Sequence, residues 1–361
     1  MKTGVYLFLV LTMFSRLFNI DTVGLLKDIQ KEEVAIEEVQ ELDQNTLTIS
    51  LVGDIFMDGS LRGLIDRNGI DYPWEMVKDY FQNDDITIGN LETSITTRGE
   101  KWEDKQFNFR SDPKNLEVMK EASLDVVSLA NNHSLDYGYV GFLDTLDHLD
   151  KYEIKRVGGG RNREEALKGL ILEKNGVKIG VLGFSRVVPH VDWYATNKRP
   201  GIVGAYDVHI DQVIDRVVEM KENVDILVLS IHWGVEGSHI PRQNEIDLAR
   251  KLIDNGVDII MGHHPHVLQG IEIYKGRPIF YSLGNFIFSS RSENTRETMI
   301  AQVILKDKTI DKVCIIPCTI DNGRPIPASE ENIEAKLKFI NSISKDFNTK
   351  IDENGIIEIV Q

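Results

Sequence analysis

Three histidines lie within four residues late in the chain, in the segment Met261-Gly262-His263-His264-Pro265-His266. They directly follow residues 257–260, an apolar run typical of a buried β-strand. Imidazoles grouped at the end of such a strand favour a metal site, because open α/β sheets bind their ligands at that edge. Strand residues alternate between two faces, so His264 and His266 are expected to point the same way and His263 elsewhere. A polar turn with solvated imidazoles is the alternative.

Four other strand-like runs also end in residues that can bind a metal. They are 47–52, ending at Gly53-Asp54; 85–88, followed by Gly89-Asn90-Leu91-Glu92; 124–129, followed by Asn131-Asn132-His133 with Asp136 beyond; and 224–231, followed by His232-Trp233-Gly234. If these strands are parallel, all of the candidates meet at one edge. A single Asp or Asn at such a place commonly caps the next helix. Five strand ends of this kind favour one shared site over five separate caps.

The order of these motifs resembles that of the CapA (PgsA) family of poly-γ-glutamate capsule synthesis proteins, which is similar to the calcineurin-like metallophosphoesterases. The resemblance covers residues 47 to 320 and includes Leu283-Gly284-Asn285-Phe286 after the histidines. Carried over by position, it implies a set of metal ligands and one catalytic histidine. The implied ligands are Asp54, Glu92 in place of a metal-bridging Asp, Asn132, His232, His264 and His266, and the implied catalytic residue is His133, oriented by Asp136.

Two positions depart from the metallophosphoesterase pattern. The first motif is normally Asp-x-His, but Phe56 occupies its third position, so one imidazole ligand of the first metal is missing. Glu92 ends a Gly-Asn-Leu-Glu segment in place of Gly-Asp-x-x-Asp, and its longer side chain would set a different metal separation. The resemblance implies an outer site of Asp54, Glu92 and His266, and a better supplied site of Glu92, Asn132, His232 and His264. Oxygen and imidazole ligands without thiolate suit one or two divalent ions of Mn, Fe or Zn.

The predicted fold is a metallophosphoesterase-like α/β sandwich of mixed sheets flanked by helices. A chain of 361 residues that is 42% hydrophobic can bury a large core, and its strands alternate with helix-like stretches. The predicted helices are 141–152, 210–221 and 242–255. Four later extended segments, without helices between them, look like a second, largely antiparallel sheet: 270–274, 277–282, 299–305 and 312–320. We expect one domain over residues 47–325, capped by a helical segment at 326–361.

The N-terminal segment is predicted to lie outside this domain. Lys2 precedes the apolar run 5–14 and Arg16 follows it, which is typical of a signal-peptide core and short for a membrane span. Residues 1–20 are therefore predicted to be a signal peptide or an uncleaved membrane anchor, and residues 21–46 an acidic tether. The expected location is the extracytoplasmic face of the cell membrane, or outside the cell if the segment is cleaved.

The net charge of −16 argues against nonspecific nucleic-acid binding, because polyanions are held by compensating Lys and Arg. A polyglutamate ligand would need local positive charge for the same reason. Bound metal would supply it, together with Arg98, Lys101, Lys105 and Arg110 in the loop that follows Glu92. An ordinary solvated loop is the alternative.

Two classes of function remain. The first is a metal-dependent hydrolase of phosphoesters, in which the metal activates water and His133 protonates the leaving group; cleavage of γ-glutamyl amide bonds is a weaker variant. The second is an assembly role, as a membrane-tethered accessory protein that holds polyglutamate or contacts membrane-bound polyglutamate synthase subunits. If Asn132-His133 only opens a helix and Asp136 is solvated, the catalytic interpretation fails.

Overall fold

Strands and helices alternate along most of the chain, as the apolar periodicity predicts. The structure is a computed structural model and describes residues 46–289 and 292–359. Its strands are β1 (Thr46–Ile55), β2 (Ile86–Leu91), β3 (Ser94–Ile95), β4 (Arg110–Ser111), β5 (Val126–Ser128), β6 (Lys155–Val157), β7 (Gly159–Gly160), β8 (Leu170–Lys174), β9 (Val177–Ser185), β10 (Gly201–Ile202), β11 (Ile226–His232), β12 (Ile259–His263), β13 (Ile271–Tyr274), β14 (Arg277–Phe280), β15 (Asn285–Ile287), β16 (Glu297–Lys306), β17 (Thr309–Asp321), β18 (Arg324–Pro327) and β19 (Ile356–Ile357). Its α-helices are α1 (Ser60–Asn68), α2 (Lys78–Asn83), α3 (Asn115–Glu121), α4 (Gly138–Lys151), α5 (Arg163–Lys168), α6 (Ile210–Lys221), α7 (Gln243–Asp254) and α8 (Ile333–Ser344).

Two mixed sheets contain most of the strands. The nine-stranded sheet has the order β18-β17-β16-β1-β2-β5-β6, with β15 paired to β1 and β19 to β17. The six-stranded sheet has the order β13-β14-β12-β11-β9-β8. Parallel pairing joins β1, β2, β5 and β6 in the first sheet and β9, β11, β12 and β14 in the second. Each sheet therefore has a parallel centre whose carboxyl ends lie at one edge.

Alternate apolar residues of a strand pack in two different parts of the core, one on each face of the sheet. In β11, Ile226 and Val228 belong to a cluster that also contains Leu51 of the other sheet. Leu227 and Leu229, from the opposite face of the same strand, pack instead in a cluster with residues of α6 and α7. Strands buried on both faces in this way carry continuous apolar runs. The predicted fold class, an α/β sandwich of mixed sheets flanked by helices, is confirmed.

The predicted second sheet made of the later segments is wrong. Strands β13 and β14 extend the six-stranded sheet beyond β12, with Ile260 of β12 paired to Ile279 of β14. Strands β16 and β17 instead lie in the nine-stranded sheet, on the side of β1 away from β2. The later segments thus complete both sheets, because each parallel centre has an open edge whose backbone groups need hydrogen-bond partners.

The C-terminal part of the described chain contains α8, which packs Leu337 and Ile340 into the core. Its Ser344 hydroxyl accepts a hydrogen bond of 3.0 Å from the backbone N–H of Ile271. Across residues 46–289 and 292–359, no helix combines the length and apolar character needed to cross a bilayer. The predicted signal or anchor at 1–20 and the tether at 21–46 lie outside the described residues, except Thr46, which begins β1.

Candidate metal centre

The carboxyl ends of strands from both sheets meet in one buried cluster. Asp54 of β1 lies 3.2 Å from His263 of β12, measured from Oδ1 to Nδ1. Glu92, which follows β2, lies 3.6 Å from His232 of β11, measured from Oε1 to Nε2. The predicted convergence of strand ends therefore occurs between two sheets rather than along one.

Asp54 is placed by a very close backbone approach. A Cβ atom at Gly53 would lie 2.0 Å from the carbonyl oxygen of Gly284, so only glycine fits there. This approach allows the N–H of Asp54 to donate to the same carbonyl at 3.0 Å. It also pairs Asp54 with Asn285 in the parallel β1–β15 ladder. The Gly-Asp and Leu-Gly-Asn motifs are thus two halves of one local structure.

Glu92 is shared by the two groups of donors that could hold an ion. The donor atoms of Asp54, Glu92 and His232 lie within 4.8 Å of one another, and so do those of Glu92, His264 and His266. The resemblance implied a different division, with His266 beside Asp54 and His264 beside His232. In the structure His232 and His264 belong to different donor groups, yet their ring centroids are only 4.9 Å apart, so the two groups adjoin each other.

Several donor atoms of this cluster are buried without a hydrogen-bond partner among the described residues. They are Asp54 Oδ2, both carboxylate oxygens of Glu92, both ring nitrogens of His263, and His264 Nδ1. Leaving a buried polar atom unpaired costs about 1–3 kcal/mol. Carboxylate oxygens and imidazole nitrogens that converge without partners are the donor set of a divalent cation. The residues present therefore fit one or two bound ions.

The histidine segment leaves the strand conformation directly after His263. His264 has φ of 96° and His266 has φ of 57°, both in the left-handed region. The expected alternation of side chains along an extended strand is therefore wrong here. His263, which was expected to point elsewhere, faces Asp54 as well. All three imidazoles of the segment consequently lie in or beside the cluster.

Asparagine side chains connect the ligand candidates. The Asn90 amide donates to Asp54 Oδ1 at 2.8 Å, and its Oδ1 accepts from Asn131 at 3.0 Å. Asn132 Oδ1 lies 2.8 Å from His232 Nε2. Asn131 in turn accepts from the backbone N–H of His133 at 3.0 Å. Asn90 and Asn131 were not predicted as site residues, although both lie in the motifs that suggested the site.

His266 is oriented by a partner outside the ligand set. Its Nδ1 lies 2.9 Å from Oδ1 of Asn285, which can only accept, so Nδ1 carries the proton. This leaves Nε2, 3.8 Å from Glu92 Oε1, available to a metal. Polar partners of this kind commonly fix the tautomer of metal-binding histidines. Asn285 is thus a further site residue, and its place after the histidines was the only sequence signal for it.

His133 and Asp136 contact each other as predicted, but a third residue joins them. His133 Nδ1 lies 2.7 Å from Asp136 Oδ2 and 2.7 Å from Lys105 Nζ. Lys105 also donates to Asp136 Oδ1 at 2.5 Å. Asp136 accepts from the backbone N–H of Phe109 at 2.7 Å, so this carboxylate also holds the loop in place. Since Nδ1 is occupied, Nε2 of His133 is the nitrogen left for a substrate.

Only one residue of the predicted basic loop contacts these candidates. The side chain of Lys105 is 12% exposed, and burial lowers its pKa although Asp136 opposes the shift. Arg98 instead pairs with Asp144, and Arg110 lies over the ring of Tyr137. The interpretation of the loop as a flank of the site therefore holds for Lys105 and not for these two arginines.

Burial and mutual contacts shift the pKa values in the cluster in opposite directions. Burial and the nearby Asp54 raise the pKa of Glu92 well above its usual value. Burial and the charge of His266 lower the pKa of His264 to about 3, and burial also lowers that of His232. Burial opposes protonation of His266, but Glu92 and Asp54 outweigh it and raise its pKa to about 10. The neutral imidazoles of His232 and His264 are the forms that bind metals.

Comparison with known proteins identifies the family. A family model for bacterial capsule synthesis proteins, PGA_cap, matches residues 48–290. This chain belongs to the PGA_cap family. The resemblance to capsule synthesis proteins inferred from the motifs is thereby confirmed. The matched range contains every residue of the cluster, from Asp54 to His266 and Asn285.

Three relatives are similar to this chain over most of its length. The PGA biosynthesis protein CapA of Bacillus subtilis (strain 168) is 34% identical over 86% of this chain and 81% of the relative. The capsule biosynthesis protein CapA of Bacillus anthracis is 33% identical over 83% of this chain and 74% of the relative. A probable polyglutamine synthesis accessory protein of Mycobacterium tuberculosis is 29% identical over 80% of this chain and 81% of the relative.

Proposed function

We propose that this protein acts in the synthesis of a poly-γ-glutamate capsule and carries a divalent-metal hydrolase site. Membership in the capsule synthesis family and the names of its relatives support the first part. The buried, unpartnered donor atoms at the meeting point of the two sheets carry the second part. A cluster of this kind is costly to a fold unless something binds it.

The ligand candidates have distinct roles in this proposal. Glu92 belongs to both donor groups, so it would be shared between two ions or would anchor a single one. The remaining ligands would be Asp54, Asn132, His232, His264 and His266. A bound ion lowers the pKa of water and polarises a phosphoryl or carbonyl oxygen. Mn, Fe and Zn ions suit the mixed oxygen and nitrogen donors.

His133 would exchange a proton with the leaving group through Nε2. Its Nδ1 faces Asp136 and Lys105, which fix the plane of the ring. The ring of Phe109 stacks on His133 with centroids 4.2 Å apart and further restricts it. Lys105 adds the positive charge that an anionic substrate needs in a protein of net charge −16. This charge suits a phosphoester and polyglutamate alike, and the resemblance of the ligand set to that of metallophosphoesterases makes a phosphoester the first substrate class to test and a γ-glutamyl amide the second.

The assembly role is compatible with this chemistry. In it, the N-terminal segment tethers the domain at the extracytoplasmic face of the membrane, where it meets membrane-bound polyglutamate synthase subunits or the polymer. The names of the relatives as biosynthesis and accessory proteins favour this role. Fractionation of a tagged full-length chain tests it, because recovery of all the protein in the cytoplasm would contradict a membrane-tethered function.

Metal analysis tests the proposed centre directly. The full-length protein is purified, and its content of Mn, Fe and Zn is measured beside that of His232→Ala and His264→Ala. Both variants should lose bound metal, because each removes an imidazole from a different donor group. His148→Ala, which removes a histidine from α4, is the matched control and should keep the parent content. Full metal content in both site variants would contradict the assignment.

Turnover separates hydrolysis from binding. The parent and His133→Ala are assayed on a chromogenic phosphomonoester, a phosphodiester and poly-γ-glutamate. His133→Ala should keep its metal and lower turnover by roughly a hundredfold, as expected for a lost general acid. If the parent hydrolyses none of these with any metal while His133→Ala still supports polymer production in cells, the hydrolase part is wrong and the assembly role remains.

A further inference from the structure

The position that lacks an expected imidazole is filled by an aromatic cluster. Phe56 follows Asp54 by two residues, where the metallophosphoesterase pattern has a histidine, and it is only 4% exposed. Its ring lies 4.4 Å from that of Phe109 and 4.7 Å from that of Phe288, measured between centroids. Packing of this kind gives position 56 an apolar role. In the segment from Asp54 to Phe56, Asp54 is therefore the ligand candidate, and Phe56 packs with the aromatic rings.

His263 brings an imidazole to the same carboxylate from the other sheet. It is the last residue of β12, is fully buried, and pairs with His232 in the β11–β12 ladder. Its Nδ1 lies 3.2 Å from Asp54 Oδ1, yet the pair does not have hydrogen-bond geometry. Neither ring nitrogen has a partner among the described residues. The imidazole therefore contacts the carboxylate electrostatically and, against the effect of burial, lowers its pKa, but neither of its ring nitrogens makes a well-aligned hydrogen bond.

The spacing of the two side chains matches that of two ligands on one ion. Ligand bonds of about 2.0–2.2 Å, at angles between octahedral and tetrahedral, separate neighbouring donor atoms by about 2.8–3.6 Å. The 3.2 Å between His263 Nδ1 and Asp54 Oδ1 falls in this range. His266 Nδ1 also lies 3.3 Å from Asp54, but that nitrogen is engaged with Asn285. His263 is thus the imidazole beside Asp54 whose near nitrogen is free.

We infer that His263 is a direct metal ligand and that it supplies, from the end of β12, the imidazole that is missing at Phe56 just after β1. This inference rests on the metal centre proposed above. It gives the ion at Asp54 a second nitrogen ligand from the opposite sheet, beside His232. The segment His263-His264-Pro265-His266 then contributes three ligands instead of two.

The test counts the imidazoles that coordinate the metal. Full-length protein is labelled with nitrogen-15 histidine and stripped of metal with a chelator. Calorimetric titration with Mn²⁺ then measures the affinity of each site. Pulsed electron paramagnetic resonance counts the histidine nitrogens that coordinate the bound Mn²⁺. His263→Ala should weaken one Mn²⁺ site by at least about tenfold and remove one coordinated imidazole. Phe56→His in the His263→Ala background should restore one imidazole. His148→Ala should match the parent in both measurements.

The outcomes separate this inference from the proposed function. If the parent binds no Mn²⁺, the metal centre itself is wrong. If the parent binds Mn²⁺ and His263→Ala keeps the same imidazole count, His263 is not a ligand, even where the affinity falls. Circular dichroism of the metal-free proteins checks folding. If His263→Ala does not fold, His263→Gln is measured by the same two methods and decides between these outcomes.

Discussion

The burial of His264 predicts how acid destabilises the metal-free protein. Burial and the charge of His266 lower the pKa of His264 from 6.5 to about 3. In the unfolded chain the imidazole regains its ordinary pKa of 6.5, so between pH 6.5 and 3 the unfolded state binds a proton that the folded state does not. The stability linked to this group is therefore fully present above pH 6.5 and is lost as the pH falls.

The magnitude follows from the width of this window. Each pH unit below 6.5 costs about 1.4 kcal/mol while the folded imidazole remains neutral. At about pH 5 the loss from His264 is therefore about 2 kcal/mol. His264→Gln removes the titrating group. Between pH 7.5 and pH 5, the free energy of unfolding of the parent should fall by about 2 kcal/mol more than that of His264→Gln.

Urea unfolding with a chelator present, followed by circular dichroism at both pH values, measures this difference. His266 has its pKa raised instead, so its contribution is lost as the pH rises above 6.5. Because both proteins contain His266, its effect largely cancels in the comparison. His148→Gln is the control and should lose as much stability as the parent. Equal losses in the parent and His264→Gln would refute the inferred desolvation of His264.

Three further predictions concern neighbouring residues. Because Glu92 and Asp54 raise the pKa of His266 to about 10, metal binding at pH 7.5 should release about one proton from this residue, and His266→Gln should lower the total release by about one proton. Calorimetry in buffers of different ionisation enthalpy measures this difference. Lys105→Ala should lower kcat/KM for an anionic phosphoester about tenfold or more while metal content stays unchanged, because a charge-assisted contact contributes about 1.5–3 kcal/mol. Gly53→Ala should lower the free energy of unfolding by at least about 1–3 kcal/mol, because the added Cβ would meet the Gly284 carbonyl. Gly63→Ala in α1 is the control and should not destabilise the protein, because its added Cβ would lie 3.5 Å from its nearest neighbour, the side chain of Arg67.

Local patterns predicted the strands that carry the site but not the sheets to which they belong. The runs ending at Asp54 and His232 are strands as expected, and both end in the cluster. Their assignment to different sheets depends on pairing between segments far apart in the chain. The later strands β13 and β14 look like β16 and β17 in sequence, yet each pair extends a different sheet. Hydrophobic period identifies a strand, and the open edges of the sheets decide where it pairs.

The candidate site was predictable where a motif carries its own chemistry. Carboxylates and imidazoles such as Glu92 and His264 could be recognised by type and position. Lys105 was only one of four basic residues in its loop, and its distinction is a contact with Asp136 that the sequence does not show. His263 was assigned to the wrong face because the prediction assumed an extended strand, whereas the chain turns at His264 with φ of 96°.

The cluster also explains why the stability of this fold should depend on metal. Asp54, Glu92 and His263 are fully buried, and each has a donor atom without a partner among the described residues. The positions are fixed by strand ends of two sheets, so the side chains cannot relax toward water without disturbing the core between those sheets. An ion at a hundred times its dissociation constant would stabilise the folded state by about 2.7 kcal/mol. This is comparable to the cost of one or two unpaired buried groups. Metal binding and folding would therefore be coupled at this site, and replacing Glu92 with an apolar residue should lower the affinity for metal while stabilising the metal-free protein.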